Sequence, residues 1–215
     1  MSRLMRSPKE RGSWYWDLDD FAEPGLESAL SVAARMCDVL ERAELLFPSE
    51  LRYNWYVLGA GTTGVTSVLE LAKTPLGDPG LPERVRGTRP TAHPSADIAD
   101  FEVLGGGTWI GEGGHSHTEY RLVDLSLSTA PTGLSAELSV HHDIWGLYDF
   151  AGRPHPEIHQ NNAPRLAAVL RDLTELFGMP PEPGERTYFG ASAVDGVVNP
   201  EPDQNGLGPD LTSRL

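Results

Sequence analysis

Two stretches of the chain repeat apolar residues every three or four positions. Across 24–46, Leu26, Ala29, Leu30, Ala33, Met36, Cys37, Leu40 and Ala43 form one stripe, with Glu27, Ser31, Asp38 and Glu41 opposite. Pro24 suits a first helical position and Pro48 ends the pattern. Across 163–177, Leu166, Val169, Leu170, Leu173, Leu176 and Phe177 form a second stripe. Asn161 or Asn162 is placed to cap it, Pro164 falls in its first turn, and Gly178 and Pro180 end it. Elsewhere the period is two. Residues 118–127 and 134–142 alternate apolar and polar positions around a Thr129–Gly133 turn, the pattern of a half-buried antiparallel meander. Residues 51–58 and 99–104 also read as strands, and Trp14, Tyr15 and Trp16 as a short strand or collar. Across 65–72, Val65, Val68, Leu69 and Ala72 suit a helix, but the β-branched Thr62, Thr63, Val65, Thr66 and Val68 favour a strand. Pro75, Pro79, Pro82, Pro90 and Pro94 break residues 74–97 into a long irregular connection.

Together these predict an α+β fold: one domain over 14–199, mainly an antiparallel sheet of about five strands with two amphipathic helices. A flexible basic arm over 1–13 and an extended tail over 200–215 flank it. Neither helix sits in a regular β-α-β repeat, which excludes a doubly wound sheet.

Charge narrows the partners. Of 215 residues, 17 are Lys or Arg and 31 are Asp or Glu, a formal charge of -14. Arg3, Arg6, Lys9 and Arg11 lie in the arm, so the remainder is more acidic than the total. This excludes a broad nucleic-acid footprint and favours a basic protein partner. Cys37 is the only cysteine, which rules out an intramolecular disulfide or a Cys-based zinc site and fits a reducing, cytoplasmic setting. Its place on the helical stripe makes it a structural thiol. No stretch has the length and apolarity of a signal peptide or membrane span.

The candidate chemistry is sparse. Gly59-Ala60-Gly61-Thr62-Thr63-Gly64 has dinucleotide-fingerprint spacing, but no secure helix follows and no strand ends in an acid about 20 residues on; a glycine hairpin turn is expected. Six of the seven histidines fall between 115 and 159. On a strand, His115, His117 and Glu119 share one face, where two imidazoles and a carboxylate suit a divalent metal, and His141 or His142 across the meander would complete the sphere. The glycine run followed by His-x-His and a glutamate resembles the cupin signature, though the glutamate comes earlier than in cupins and the downstream histidine element is missing. That resemblance implies a metal-dependent oxygenase; metal-activated water would equally serve a hydrolase. Ser192 lacks the spacing of a nucleophile elbow, so no catalytic residue and no organic cofactor is assigned.

The leading expectation is a non-enzymatic, acidic protein-binding domain. Its expected partner face is the 14–20 segment, with Trp14, Trp16, Asp17, Asp19 and Asp20, together with Glu137, Asp143 and Asp149. In size, acidity and α+β character the chain resembles immunity proteins, which neutralise basic toxin domains. A metal-dependent enzyme and a subunit of a homo-oligomeric assembly are the alternatives.

Overall fold

The computed structural model describes residues 4–72, 74–130 and 133–215. Arg3 of the expected arm and Pro131 and Thr132 of the expected meander turn lie outside the described residues. The elements run β1 (Gly12–Asp17), α1 (Leu26–Arg42), β2 (Phe47–Val57), β3 (Gly61–Glu70), α2 (Leu81–Arg86), β4 (Asp97–Ile110), β5 (Ser116–Tyr120), β6 (Asp124–Ser128), β7 (Ser135–Val140), α3 (Pro156–Phe177), β8 (Glu182–Pro183), β9 (Ser192–Ala193) and β10 (Gly196–Val197). An eight-stranded sheet has the order β3-β2-β4-β6-β7-β1-β8, with β5 also on β4; β9 and β10 form a second, two-stranded sheet. All pairings are antiparallel.

The fold is α+β, but the expected count of about five strands and two helices is wrong. The described residues hold ten strands in two sheets and three helices. Part of the difference comes from short elements that no periodicity marks. Strands β8, β9 and β10 have two residues each, and α2 is a six-residue helix inside the connection read as irregular. Part comes from a bulge. The run read as one strand over 118–127 is split, because Tyr120 faces Gly106 while Leu125 faces Val103. Five steps on one side match three on the other, and Arg121 takes up the excess with φ 56. The Arg121 amide still reaches the Gly105 carbonyl at 2.8 Å. β4, β5 and β6 thus form one long, bulged hairpin.

Helix α3 starts at Pro156, seven residues before the expected boundary, so Pro164 lies inside it. Pro156 fits the first turn, where no N–H is needed. Pro164 leaves the Gln160 carbonyl without its helical partner, a loss the packed stripe tolerates. Asn162 is no cap. It is fully buried, and its amide closes the free end of β4: Oδ1 accepts from the Ile110 N–H at 2.9 Å and Nδ2 donates to the Ile110 carbonyl at 2.7 Å.

Both long helices pack on one face of the sheet. Their stripes (Ala29, Leu30, Ala33, Met36, Cys37 and Leu40 of α1; Leu166, Val169, Leu170 and Leu173 of α3) meet Leu51, Tyr53, Trp55, Phe101, Val103, Leu125, Leu127, Leu138, Trp14 and Trp16 in a single core. Gly105 and Gly107 let the chain before β2 close against β4, since a Cβ at either would strike the Phe47 or Leu45 carbonyl. Gly59, Gly61 and Gly64 have positive φ and serve the β2–β3 hairpin, as the glycine-turn reading expects.

The arm over 1–13 packs against the body where it is described. Ser7 and Arg11 donate backbone N–H groups to the carbonyls of His141 and Val140, extending the β1–β7 ladder towards the N-terminus. At the other end, Gly208 N–H bonds the Gly152 carbonyl and Leu211 N–H that of Phe150, so the largely irregular tail lies along the 148–153 loop.

Replacing Asn162 by Leu is expected to leave both backbone groups of Ile110 unpaired and to cost about 2–4 kcal/mol. Urea unfolding checks this; a cost below about 0.5 kcal/mol would mean the bonds are dispensable.

Candidate functional site

The four metal candidates do not converge. His115 lies just outside β5, exposed, at the foot of the tight turn at Glu112–Gly114. His117 stacks on Trp109 at a centroid distance of 4.5 Å. Glu119 lies two residues further along the same strand, opposite Gly107. His141 is at the far end of the hairpin: Nδ1 donates to the Ser7 carbonyl at 3.3 Å and Nε2 lies 3.5 Å from Asp124 Oδ2. His117 faces Trp109 and Leu125 faces Val103, so six residues of β4, roughly 20 Å, separate the two ends. Among the described residues no three His, Cys, Asp or Glu side chains are grouped to hold a metal ion. The i, i+2 spacing placed His117 and Glu119 on one strand face, but the bulge and the length of the hairpin kept His141 away.

Several expected partner residues are also displaced. Trp14 and Trp16 belong to the core and offer no surface. Asp143 is 2% exposed and cannot meet a partner. Asp19 accepts the Leu134 N–H at 2.8 Å, and Asp149 accepts those of Ala151 and Arg153 at 2.9 and 2.8 Å; both order loops. Asp17 and Asp20 are exposed.

Asp143 instead joins a buried polar knot that periodicity gave no sign of. Its Oδ1 accepts the Met5 N–H at 3.2 Å. The Arg11 guanidinium donates to the carbonyls of Asp143 and Tyr148 at 3.0 and 2.9 Å and lies 5.0 Å from the Phe150 ring centre. His155 Nε2 donates to the Gly146 carbonyl at 2.8 Å. Burial dominates the titrations. It lowers Arg11 to about 10 against the pull of Asp143 and Asp149, lowers His142 to about 4, and raises Asp143 to about 6. Burial also pushes the Cys37 thiol up, consistent with a structural role.

The open face of the sheet is the most extensive surface feature. With the helices on one side, alternation sends every second side chain to the other. Cross-strand pairs define one row there: Glu182, Tyr15, Glu137, Ser126, Glu102, Arg52 and Val68. A second row holds Asp17, Ser135, Ser128, Asp100, Asn54 and Thr66. A third includes Ser13, Ser139 and Asp124, with Glu50 and Glu70 towards the β3 edge. Three arginines offset some of these acids. Arg6 and Arg121 each reach Asp124 at 2.8 Å, and Arg52 reaches Glu102 at 3.4 Å. Burial opposes ionisation of Asp124, but the hydrogen bonds from Arg121 and Arg6 outweigh it and lower its pKa. Asp17, Glu50, Asp100, Glu137 and Glu182 make no ion pair among the described residues.

Towards the β8 edge this face opens into a cleft of about 810 Å³ lined by Lys9, Glu10, Ser13, Glu137, Arg186 and Tyr188. Glu137 is half-buried there; desolvation raises its pKa, the Ser13 hydroxyl opposes the rise, and Glu10 adds to it. The arrangement carries negative potential over several strands. Among the described residues it groups no three His, Cys, Asp or Glu side chains to hold a metal ion, and its carboxylates suit electrostatic recognition of cationic groups. The alternation of 134–142 and 118–127 pointed to a polar side. Only the strand order joined these segments to β2 and β1.

Comparison with protein-family models, with curated proteins and with solved structures finds no match for this chain. Among the described residues, no helix is long and apolar enough to cross a membrane.

The knot predicts a particular pH dependence. Asp143, raised to about 6 in the fold, loses stabilisation as pH rises from about 4 to 6, because the folded state binds its proton more tightly. His142, lowered to about 4, acts oppositely: the unfolded state binds the proton more tightly, so stability is lost as pH falls from 6.5 towards 4. The two slopes oppose between 4 and 6. Asp143→Asn removes one of them, and its stability is expected to fall more steeply than that of the wild type on acidification over this window. Urea midpoints measured in steps across it check the sign, and an unchanged or shallower slope would contradict the placement of Asp143.

Proposed function

We propose that this chain is a non-catalytic binding protein whose open, acidic sheet face captures a basic protein. One observation carries this reading. Seven strands of one sheet present a continuous polar face on which Asp17, Glu50, Asp100, Glu137 and Glu182 make no ion pair among the described residues, while all the described helical packing is on the other side. Carboxylates on adjacent strands repel one another, and a cationic surface relieves that repulsion on docking. The expected partner surface therefore moves from the 14–20 segment, Asp143 and Asp149 to the sheet face, with Asp17 and Glu137 common to both.

The immunity-like reading draws on the same features: an acidic domain with a broad polar face suits neutralisation of a basic toxin domain by masking. The metal-dependent alternative finds no support in the positions of His115, His117, Glu119 and His141.

The test uses the intact chain as bait in extracts of its source cell. The wild type is compared with a variant carrying Asp100→Asn, Glu102→Gln and Glu137→Gln. A captured protein of high isoelectric point, identified by mass spectrometry, is expected to bind about tenfold or more weakly to the variant and to be released by added salt. Capture of a neutral or acidic protein, or equal binding by both baits, would overturn the reading.

A further inference from the structure

The two end strands of the main strand order, β8 and β3, are treated differently. At one end β8 is two residues long, contains Pro183, and is followed by a segment that packs on β1 through Ser192 and Ala193. A short edge strand with a proline resists adding another strand. At the other end β3 is ten residues long and, among the described residues, pairs only with β2. From Gly61 to Leu69 it carries no charged side chain and no proline, and it is rich in Thr and Val. It lacks the usual guards of an exposed edge.

The direction of its free backbone groups follows from the ladder. Leu71 N–H bonds the Ser49 carbonyl, and the register continues through Leu51 opposite Leu69 and Tyr53 opposite Ser67. In an antiparallel pair the hydrogen-bonded positions alternate. The odd positions of β3 therefore bond β2, and the amides and carbonyls of Thr66, Val68 and Glu70 point away from the sheet. The Val68 side chain is 54% exposed.

We infer that β3 pairs with β3 of a second copy of this chain, antiparallel and centred on Val68, giving a two-fold dimer with one continuous sheet. This does not rest on the basic-partner reading. The occupant follows from self-complementarity, since the outward backbone groups of Thr66, Val68 and Glu70 can bond their own equivalents about a two-fold axis; charge restricts the place and the register. Two chains of charge -14 repel over most of their surfaces, and the Gly61–Leu69 strip is a stretch where copies meet without opposed carboxylates. Centring on Val68 sets Val68 against its own equivalent and Glu70 against Thr66 of the other copy, so the two Glu70 side chains stay apart. The outward groups of Thr66, Val68 and Glu70 then bond their counterparts in both directions. The two-fold axis runs perpendicular to the sheet, which leaves both helical layers on one side and both open faces on the other.

Sedimentation of the purified full chain from roughly 5 to 500 µM tests this, the range in which a small strand–strand interface associates. A monomer–dimer equilibrium is expected. It should strengthen as salt screens the like-charged bodies, whereas capture of a basic partner should weaken. Val68→Lys sets two cations directly opposite each other and should abolish the dimer. Thr66→Lys sets a cation opposite Glu70 of the second copy and should preserve or strengthen it. Val68→Pro removes an N–H that the β2 ladder does not use, so the fold should persist, read by circular dichroism, while the dimer is lost. A monomer throughout the range at high salt, or a dimer indifferent to Val68→Lys and Val68→Pro, would overturn the inference. Loss of dimer in Thr66→Lys as complete as in Val68→Lys would overturn the register.

Discussion

The sheet is covered on one side only, and most of the rest depends on that. Alternating side chains must then divide into an apolar set beneath α1 and α3 and a polar set facing outwards. The division sends Trp14 and Trp16 into the core and leaves Tyr15 and Asp17 outside on the same strand. It also fixes the register of every ladder, since a one-residue slip would turn the Leu125, Leu127, Leu138 and Val140 set towards water. The long hairpin of β4 with β5 and β6 satisfies this constraint by bending at Arg121, and its outer end is held by Asn162 where β2 no longer runs beside it.

The same one-sided architecture explains the buried polar knot. Past the end of β7 the chain leaves the sheet and must return to start α3, and the N-terminal segment runs alongside it. Here Arg11, Asp143 and His155 satisfy backbone groups that no ladder reaches. Such a network is costly when partly satisfied: Arg11 Nε, His142 Nδ1, Asp143 Oδ2 and His155 Nδ1 have no protein partner among the described residues. Its titrations are therefore consequences of burial, and it serves to fasten the segment that continues into β1.

Both proposed recognition surfaces lie where the covering stops. The open face collects carboxylates from strands distant in sequence, and the β3 edge leaves backbone donors and acceptors without a neighbour. The first is an electrostatic surface and the second a hydrogen-bonding one, so salt moves them in opposite directions.

Much of this was legible in the chain. The stripes of α1 and α3 gave the helices, alternation gave β6 and β7, and the lone Cys37 on a stripe gave a structural thiol. The helix boundary failed at Pro164, because local propensity argued for a start where packing of Ile158 and Asn162 allowed an interior proline. Strands of two residues failed because no period exists at that length. The candidate site was legible only as separate polar alternations. What the sequence determined by itself was which residues prefer burial and with what period, since these follow from local chemistry. Only the tertiary structure decided which carboxylates share a face, which histidines stay apart and which edge remains open, because those depend on strand order and on a bulge that long-range packing imposes.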